Sequence, residues 1–278
     1  MIDLSPKRQF SPLAKLYLKK LKQKKRQRRN KLVRSYYIKH LDEIVSAEPR
    51  EFHQIIQTFQ RLFTFSWAEP FDDFKTYMEN QYKTMSDEHG QWLAHKLNVK
   101  VCPYCNRQYT FTLDSKGNGI DGVKTRPEFE HFYDKSTYPF LALSFYNLVP
   151  SCHTCNHIKG NKLIKIHPYV DGFTCKFRIE DKQKIALDKS NLLLLKQSQF
   201  KVALNHSANE KTNIDVFGIK ELYNQHKDYV REIMDKTQAY DSHARDSLVD
   251  SFQGAGYSPE EVYSFVWGRY LDGDEHEK

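Results

Sequence analysis

The chain reads as an α+β protein. Three observations predict this. Long stretches at both ends carry apolar residues at three- and four-residue spacing, the texture changes near residue 100 to alternation and turn-rich loops, and two Cys-x-x-C pairs lie inside that central change. Composition agrees: 39% of the 278 residues are hydrophobic and 14% aromatic, which suits a globular chain with a substantial core. No run approaches the roughly 20 apolar residues of a membrane span. The first residues are charged from Lys7 onward and lack the apolar centre of a secretory signal. A cytoplasmic protein without membrane contact is therefore expected.

Residues 1–45 are expected to form a basic helical arm. Thirteen Lys and Arg residues and no acid lie between Lys7 and Arg34, leaving 30 bases against 35 acids in the rest of the chain. The whole net charge of +8 thus originates in one segment, the mark of a polyanion-binding arm on an ordinary body. Lys24, Lys25, Arg26, Arg28 and Arg29 are its densest run and its candidate nucleic-acid contacts. Pro12 suits a first helical position, and Leu13, Leu16, Leu21, Leu32 and Val33 give a thin apolar stripe, so one long helix is expected over 12–45. A plain solvated helix and a protein-docking helix are the rival readings of the same charges.

Residues 46–98 continue as a helical region. Phe52, Ile55, Ile56, Phe59, Leu62 and Phe63 predict a helix over 50–67. A second follows over 71–97, with Phe71, Phe74, Tyr77, Met78, Tyr82, Trp92, Leu93 and Leu97. Aromatics at this spacing are expected in the core. From Arg107 to Leu113 the pattern switches to alternation through Tyr109, Phe111 and Leu113, as in a strand, and 115–122 is a turn-rich loop. Beyond residue 170 a mixed region (171–278) begins with short strands at 173–179 and 185–187. Leu192–Leu195 and Phe200–Leu204 fit either strand or helix. One amphipathic helix is expected from Ile219 to Met234. Ser258-Pro259-Glu260-Glu261 has the form of a capping box that opens a last helix bearing Tyr263, Phe265, Val266, Trp267 and Tyr270.

Cys102, Cys105, Cys152 and Cys155 form two knuckles separated by 46 residues. In a reducing compartment such pairs read as metal ligands before disulfides. Four thiolates satisfy tetrahedral zinc completely and leave no position for water, so the zinc is expected to be structural. Cys175 stands alone and reads as a small buried apolar side chain.

Between and after the knuckles lie Glu128-Phe129-Glu130-His131, then Asn147-Leu148, then Cys152-His153-Thr154-Cys155-Asn156-His157-Ile158-Lys159. An acid–His pair, Asn-Leu and Cys-x-x-Cys-Asn-x-x-Lys, in this order, resemble the zinc-containing HNH nucleases of the ββα-metal fold. The motifs cover about a quarter of the chain. The resemblance implies an HNH nuclease core over 99–170 between helical flanks. It implies His131 as the base that takes a proton from water, and Asn147 as the residue fixing the loop that orients that base. Glu130 and Asn156 would then be ligands of one Mg²⁺ or Mn²⁺, and Lys159 a phosphate contact. Relatives more often have Asp in place of Glu130, and Glu128 and Asp134 are alternative ligands. His153 and His157 read as exposed or zinc-neighbouring, and His167 as a possible phosphate or supporting contact. The stretch Phe132–Asn147 is most similar to HNH subunits of Septu-type and retron-linked antiphage systems, which implies an ATPase partner. The expected substrate is nucleic acid, DNA before RNA, a choice the sequence alone does not decide. A catalytically silent zinc-knuckle module that binds nucleic acid or adapts proteins is the alternative.

Overall fold

The computed structural model describes residues 4, 10–22, 32–65, 68–114, 124–181, 200–240 and 242–267. The chain divides into two compact units, Met1–Phe173 and Thr174–Lys278. The five bases of the Lys24–Arg29 run, the turn-rich loop at 115–122, the strand expected at 185–187, Leu192–Leu195 and Tyr270 lie outside the described residues.

In the first unit, α1 (Phe10–Lys22) buries Phe10, Ala14, Tyr17 and Leu21. This is a stripe at helical spacing, one register off the leucine stripe expected: Leu16 stays half exposed. Lys15, Lys19 and Lys22 occupy the exposed side. The single helix expected over 12–45 is not the arrangement found. Among the described residues, His40 parts α2 (Leu32–Lys39) from α3 (Leu41–Ser46). The break sets Leu41, Ile44 and Val45 into the core, where the Ser144 hydroxyl donates to the Ile44 carbonyl at 2.7 Å. Helix α4 (Phe52–Phe63) follows a 3₁₀ turn at Pro49–Glu51, whose Glu48–Glu51 capping box satisfies free amides. Helix α5 (Phe71–Leu97) is the long helix expected, and Asn98 ends it in the left-handed conformation. The expected core aromatics are core in part: Phe52, Phe59 and Phe74 are buried, Phe63, Tyr77, Tyr82 and Trp92 are partly buried, and Phe71 is exposed. The Phe59 ring stacks on Phe140 at 4.5 Å and Phe74 meets Tyr37 edge-on.

Three two-stranded antiparallel sheets are seen among the described residues. The 107–113 run forms only a bridge from Tyr109 to Val101 and a short β1 (Leu113–Asp114), paired with β2 (Lys124–Thr125). Next, β3 (Glu128–His131) pairs with β4 (Leu148–Ser151), in the register Glu128↔Ser151 to His131↔Leu148. Helix α6 (His153–Lys159) follows at once, with Cys152 as its N-cap.

In the second unit, β5 (Lys176–Asp181) pairs with β6 (Phe200–Asn205), so the ambiguous 200–204 segment is strand. Helix α7 (Ala208–Phe217) starts with a Ser207–Glu210 capping box. Glu210 also accepts from the Thr174 and Cys175 amides at 2.6 and 3.0 Å, which leaves Cys175 only half-buried. The helix expected from Ile219 to Met234 is two, α8 (Ile219–Asn224) and α9 (Lys227–Ala239). At the break Asn224 turns its side chain onto both backbone groups of Val202. Phe200 and Met234 form the buried centre against Ile179 and Val230. Helices α10 (Ser242–Gln253) and α11 (Pro259–Trp267) complete the unit, the latter opened by the expected Ser258–Glu261 capping box.

Candidate active site and metal centre

The four cysteines of the knuckles come together as expected. All are buried, and their Sγ atoms lie within 4.8 Å of one another. Tetrahedral zinc with Zn–S bonds of about 2.3 Å needs thiolates roughly 4 Å apart, so the set fits the ion. Local geometry prepares it. In the first knuckle the Cys102 amide donates to the Gln108 carbonyl and the Asn106 amide to the Cys102 carbonyl, with Asn106 at positive φ. In the second the Cys155 amide donates to Cys152 Sγ. Hydrogen bonds from the neighbouring thiols, Cys102 first, hold Cys105 and Cys152 below their ordinary values, and burial pushes Cys102 up. Hydrogen bonds among the thiols, Cys102 first, push Cys155 up, so holding all four as thiolates together would require a bound cation.

Against this cluster lies a two-rung ladder between β3 and α6. The period of two along β3 presents Glu128 and Glu130 to the helix, and the turn of α6 presents Asn156 and Lys159 to the strand. On the first rung Asn156 Nδ2 donates to Glu128 Oε2 at 2.6 Å, and His153 Nδ1 lies 2.8 Å from Glu128 Oε1. Burial pulls the Glu128 carboxyl up, but the bonds from Asn156 and His153 outweigh it and hold it below its ordinary value. On the second rung Lys159 Nζ sits 2.6 Å from Glu130 Oε1 and donates to the His131 carbonyl at 2.7 Å. The Tyr104 hydroxyl closes this rung, donating to Glu130 Oε2 at 2.5 Å. Burial pushes the Glu130 carboxyl up, with Lys159 partly offsetting it. Asn156 therefore meets Glu128 rather than Glu130, and the Lys159 ammonium, whose side chain has no exposed surface, turns inward.

His131 is buried beside the Tyr82 ring of α5, 4.5 Å between centroids. Its Nε2 lies 3.1 Å from the Ala142 carbonyl. A carbonyl oxygen only accepts, so Nε2 carries the proton and Nδ1 is the basic nitrogen. Burial, with Lys135 next, pushes the imidazole down to about 3, so it is neutral at physiological pH. The loop that supplies the Ala142 carbonyl is fixed by Asn147, which is fully buried. Its Oδ1 accepts from the Tyr133 amide at 2.7 Å, and its Nδ2 donates to the Tyr133 and Leu141 carbonyls at 3.0 Å each. Asp134 spends both oxygens on Ser136 and Thr137 and organises a turn. His167 is buried against Phe132, 4.1 Å between rings, and burial pushes it down to about 3. His153 and His157 are exposed on α6, as expected.

Fifty-two residues of the chain are 46% identical to the Septu protein PtuB of Bacillus thuringiensis. That stretch is 19% of this chain and 20% of the relative, so the chain matches only a fifth of that protein's length. No protein-family model matches the chain, and no solved structure does.

Three partners in this geometry were not anticipated. Tyr104, inside the first knuckle, joins the cysteine cluster to Glu130. Tyr82 is one more aromatic of a core-facing helix by its spacing, and the Ala142 carbonyl carries no side-chain signal at all. Of these, only Tyr104 left a trace in the sequence, as an aromatic between two metal-ligand cysteines. Among the described residues no helix is long and apolar enough to cross a membrane.

Proposed function

We propose that the chain is a metal-dependent HNH endonuclease that hydrolyses nucleic-acid phosphodiester bonds, DNA first among them, and serves in antiphage defence. The observation that carries the reading is the state of His131. The residue is neutral, its Nε2–H is fixed on the Ala142 carbonyl, and Asn147 immobilises the loop that supplies this carbonyl. Holding Nε2–H on a carbonyl orients Nδ1 as the nitrogen to accept a proton. At about 3 the imidazole is a weak base, and for efficient catalysis near neutral pH its basicity would have to rise in the loaded site. The order of elements supports the same reading: a strand pair holding the acid–His motif, then a helix holding Asn156, stapled by four cysteines. Partial similarity to a Septu protein supports the defence role; an ATPase partner is what the motif resemblance implies.

In this mechanism Nδ1 of His131 takes the proton of the attacking water. Zn²⁺ belongs with Cys102, Cys105, Cys152 and Cys155 as a structural ion. Mg²⁺ or Mn²⁺ would be held by the hard oxygens of the ladder, Asn156 and Glu128 on one rung and Glu130 on the next, where Glu130 would first have to release Lys159 or Tyr104. When bound, a divalent ion would neutralise charge on the phosphate and the leaving oxygen. Glu130 and Lys159 align β3 with α6, and the basic run Lys24, Lys25, Arg26, Arg28 and Arg29 adds salt-sensitive affinity for the phosphate backbone.

The test is cleavage of plasmid and single-stranded DNA by the purified chain with Mg²⁺ or Mn²⁺, with EDTA and His131→Ala as controls. Metal-dependent cutting lost by at least a hundredfold in His131→Ala is expected, the typical contribution of a general base. A folded, zinc-loaded chain that cuts nothing, alone or with an ATPase encoded beside it, would leave the binding-module reading in its place.

A further inference from the structure

The run from Arg107 to Leu113 is a surface that the proposed chemistry leaves unused. Its alternation puts Tyr109, Phe111 and Leu113 on one side, and these are 60%, 48% and 53% exposed. The other side is fastened down. Thr110 is buried, with its hydroxyl donating to the Val99 carbonyl at 2.7 Å and its amide to the Lys100 carbonyl at 2.8 Å. Gln91 of α5 holds the Leu113 carbonyl at 2.7 Å. The rings of Tyr109 and Phe111 lie nearly parallel, 11° apart with centroids at 5.0 Å, and so present a flat aromatic face to solvent.

Folding gives no reason for this face, because two rings left in water forgo the stabilisation that burial would give. The surrounding charge narrows what can cover it. Residues 99–114 contain Lys100 and Arg107 against one acid, Asp114 at the far end of the run, and Arg107 shares the exposed side of the alternation. Parallel rings beside a guanidinium match the chemistry of unpaired bases, which stack on aromatic faces while cations meet their phosphates. The position also fits. Gln108 Nε2 donates to Thr154 Oγ1, which ties the run to α6, the helix that bears Asn156.

We propose that Tyr109 and Phe111, with Arg107, form a stacking platform for the unpaired bases of a nucleic-acid strand, directing it along α6 toward the candidate site. The proposal rests on the nuclease reading for its purpose, but its test does not need cleavage. The full chain carrying His131→Ala is titrated, by fluorescence anisotropy, into labelled oligothymidylate and into a duplex of the same length. Tyr109→Ala/Phe111→Ala is expected to weaken strand binding about tenfold or more. Tyr109→Phe/Phe111→Tyr is expected to retain the binding, and all these proteins to keep the parent's melting temperature. An Ala double variant that binds the strand as tightly as its parent overturns the platform. Equal parental affinity for strand and duplex also overturns it, as does a loss confined to self-association in sedimentation. The two readings separate cleanly. If ring removal weakens binding while the unsubstituted chain cuts nothing, alone or with an ATPase encoded beside it, the platform stands and the nuclease falls; if the chain cuts and the Ala variant binds normally, the platform alone falls.

Discussion

Lys159 shows how a motif residue can change its meaning between sequence and structure. Its spacing after Asn156 suits a phosphate contact, yet its side chain is wholly buried against Glu130, which is itself 98% buried at the side chain. A lysine placed this way stabilises only through its partner, and removing one charge strands the other in a poorly solvated site. Lys159→Met is therefore expected to cost about 3–5 kcal/mol, and Glu130→Leu in the same background to recover most of it. Urea unfolding of the parent, both single variants and the double variant gives the coupling directly. A coupling near zero would mean that the pair is not closed in solution and that Lys159 is available at the surface.

At the scale of elements, the site depends on the loop between β3 and β4. Asn147 makes three hydrogen bonds that span this loop, and Ala142, one residue past the Leu141 carbonyl it holds, fixes the imidazole. Asn147→Ala leaves one amide and two carbonyls without their partner in a buried setting, and is expected to destabilise the first unit by about 3 kcal/mol or more. Cleavage should fall further than the folded fraction does, since His131 loses its orientation. Equal losses in folded fraction and rate would reduce Asn147 to a structural role. Much of this was legible beforehand. Spacing predicted the helix over 71–97, the Ser258–Glu261 cap and the cysteine cluster, because each depends on residues near in sequence or on a ligand set with fixed demands. The breaks at His40 and near Gln225 were not legible, because each is set by partners distant in sequence: Ser144 on Ile44, and Asn224 on Val202. The ladder was half legible: the motif names Glu130 and Asn156, but only the register of β3 on α6 reveals that Asn156 meets Glu128.

For the whole molecule, the cysteine cluster is the joint on which the candidate site hangs. It links the segment after α5 to the N-terminus of α6, and through Tyr104 it reaches Glu130 and hence Lys159 and the backbone of His131. Such a centre contributes to folding as well as to local shape, since apparent zinc affinities of about 10–16 kcal/mol are available to a site that forms only on folding. The purified chain is expected to carry one zinc per molecule by elemental analysis. Chelation, or Cys105→Ser, should remove the zinc, lower the melting temperature of the first unit and expose amides of β3 and α6 to hydrogen exchange. The second unit supplies none of the four ligands, so β5, β6 and α7 should keep their protection in the same exchange experiment. Loss of protection throughout both units would show that the chain folds as a single cooperative body, whereas unchanged protection of β3 and α6 would show that the cysteines bind metal without supporting the site.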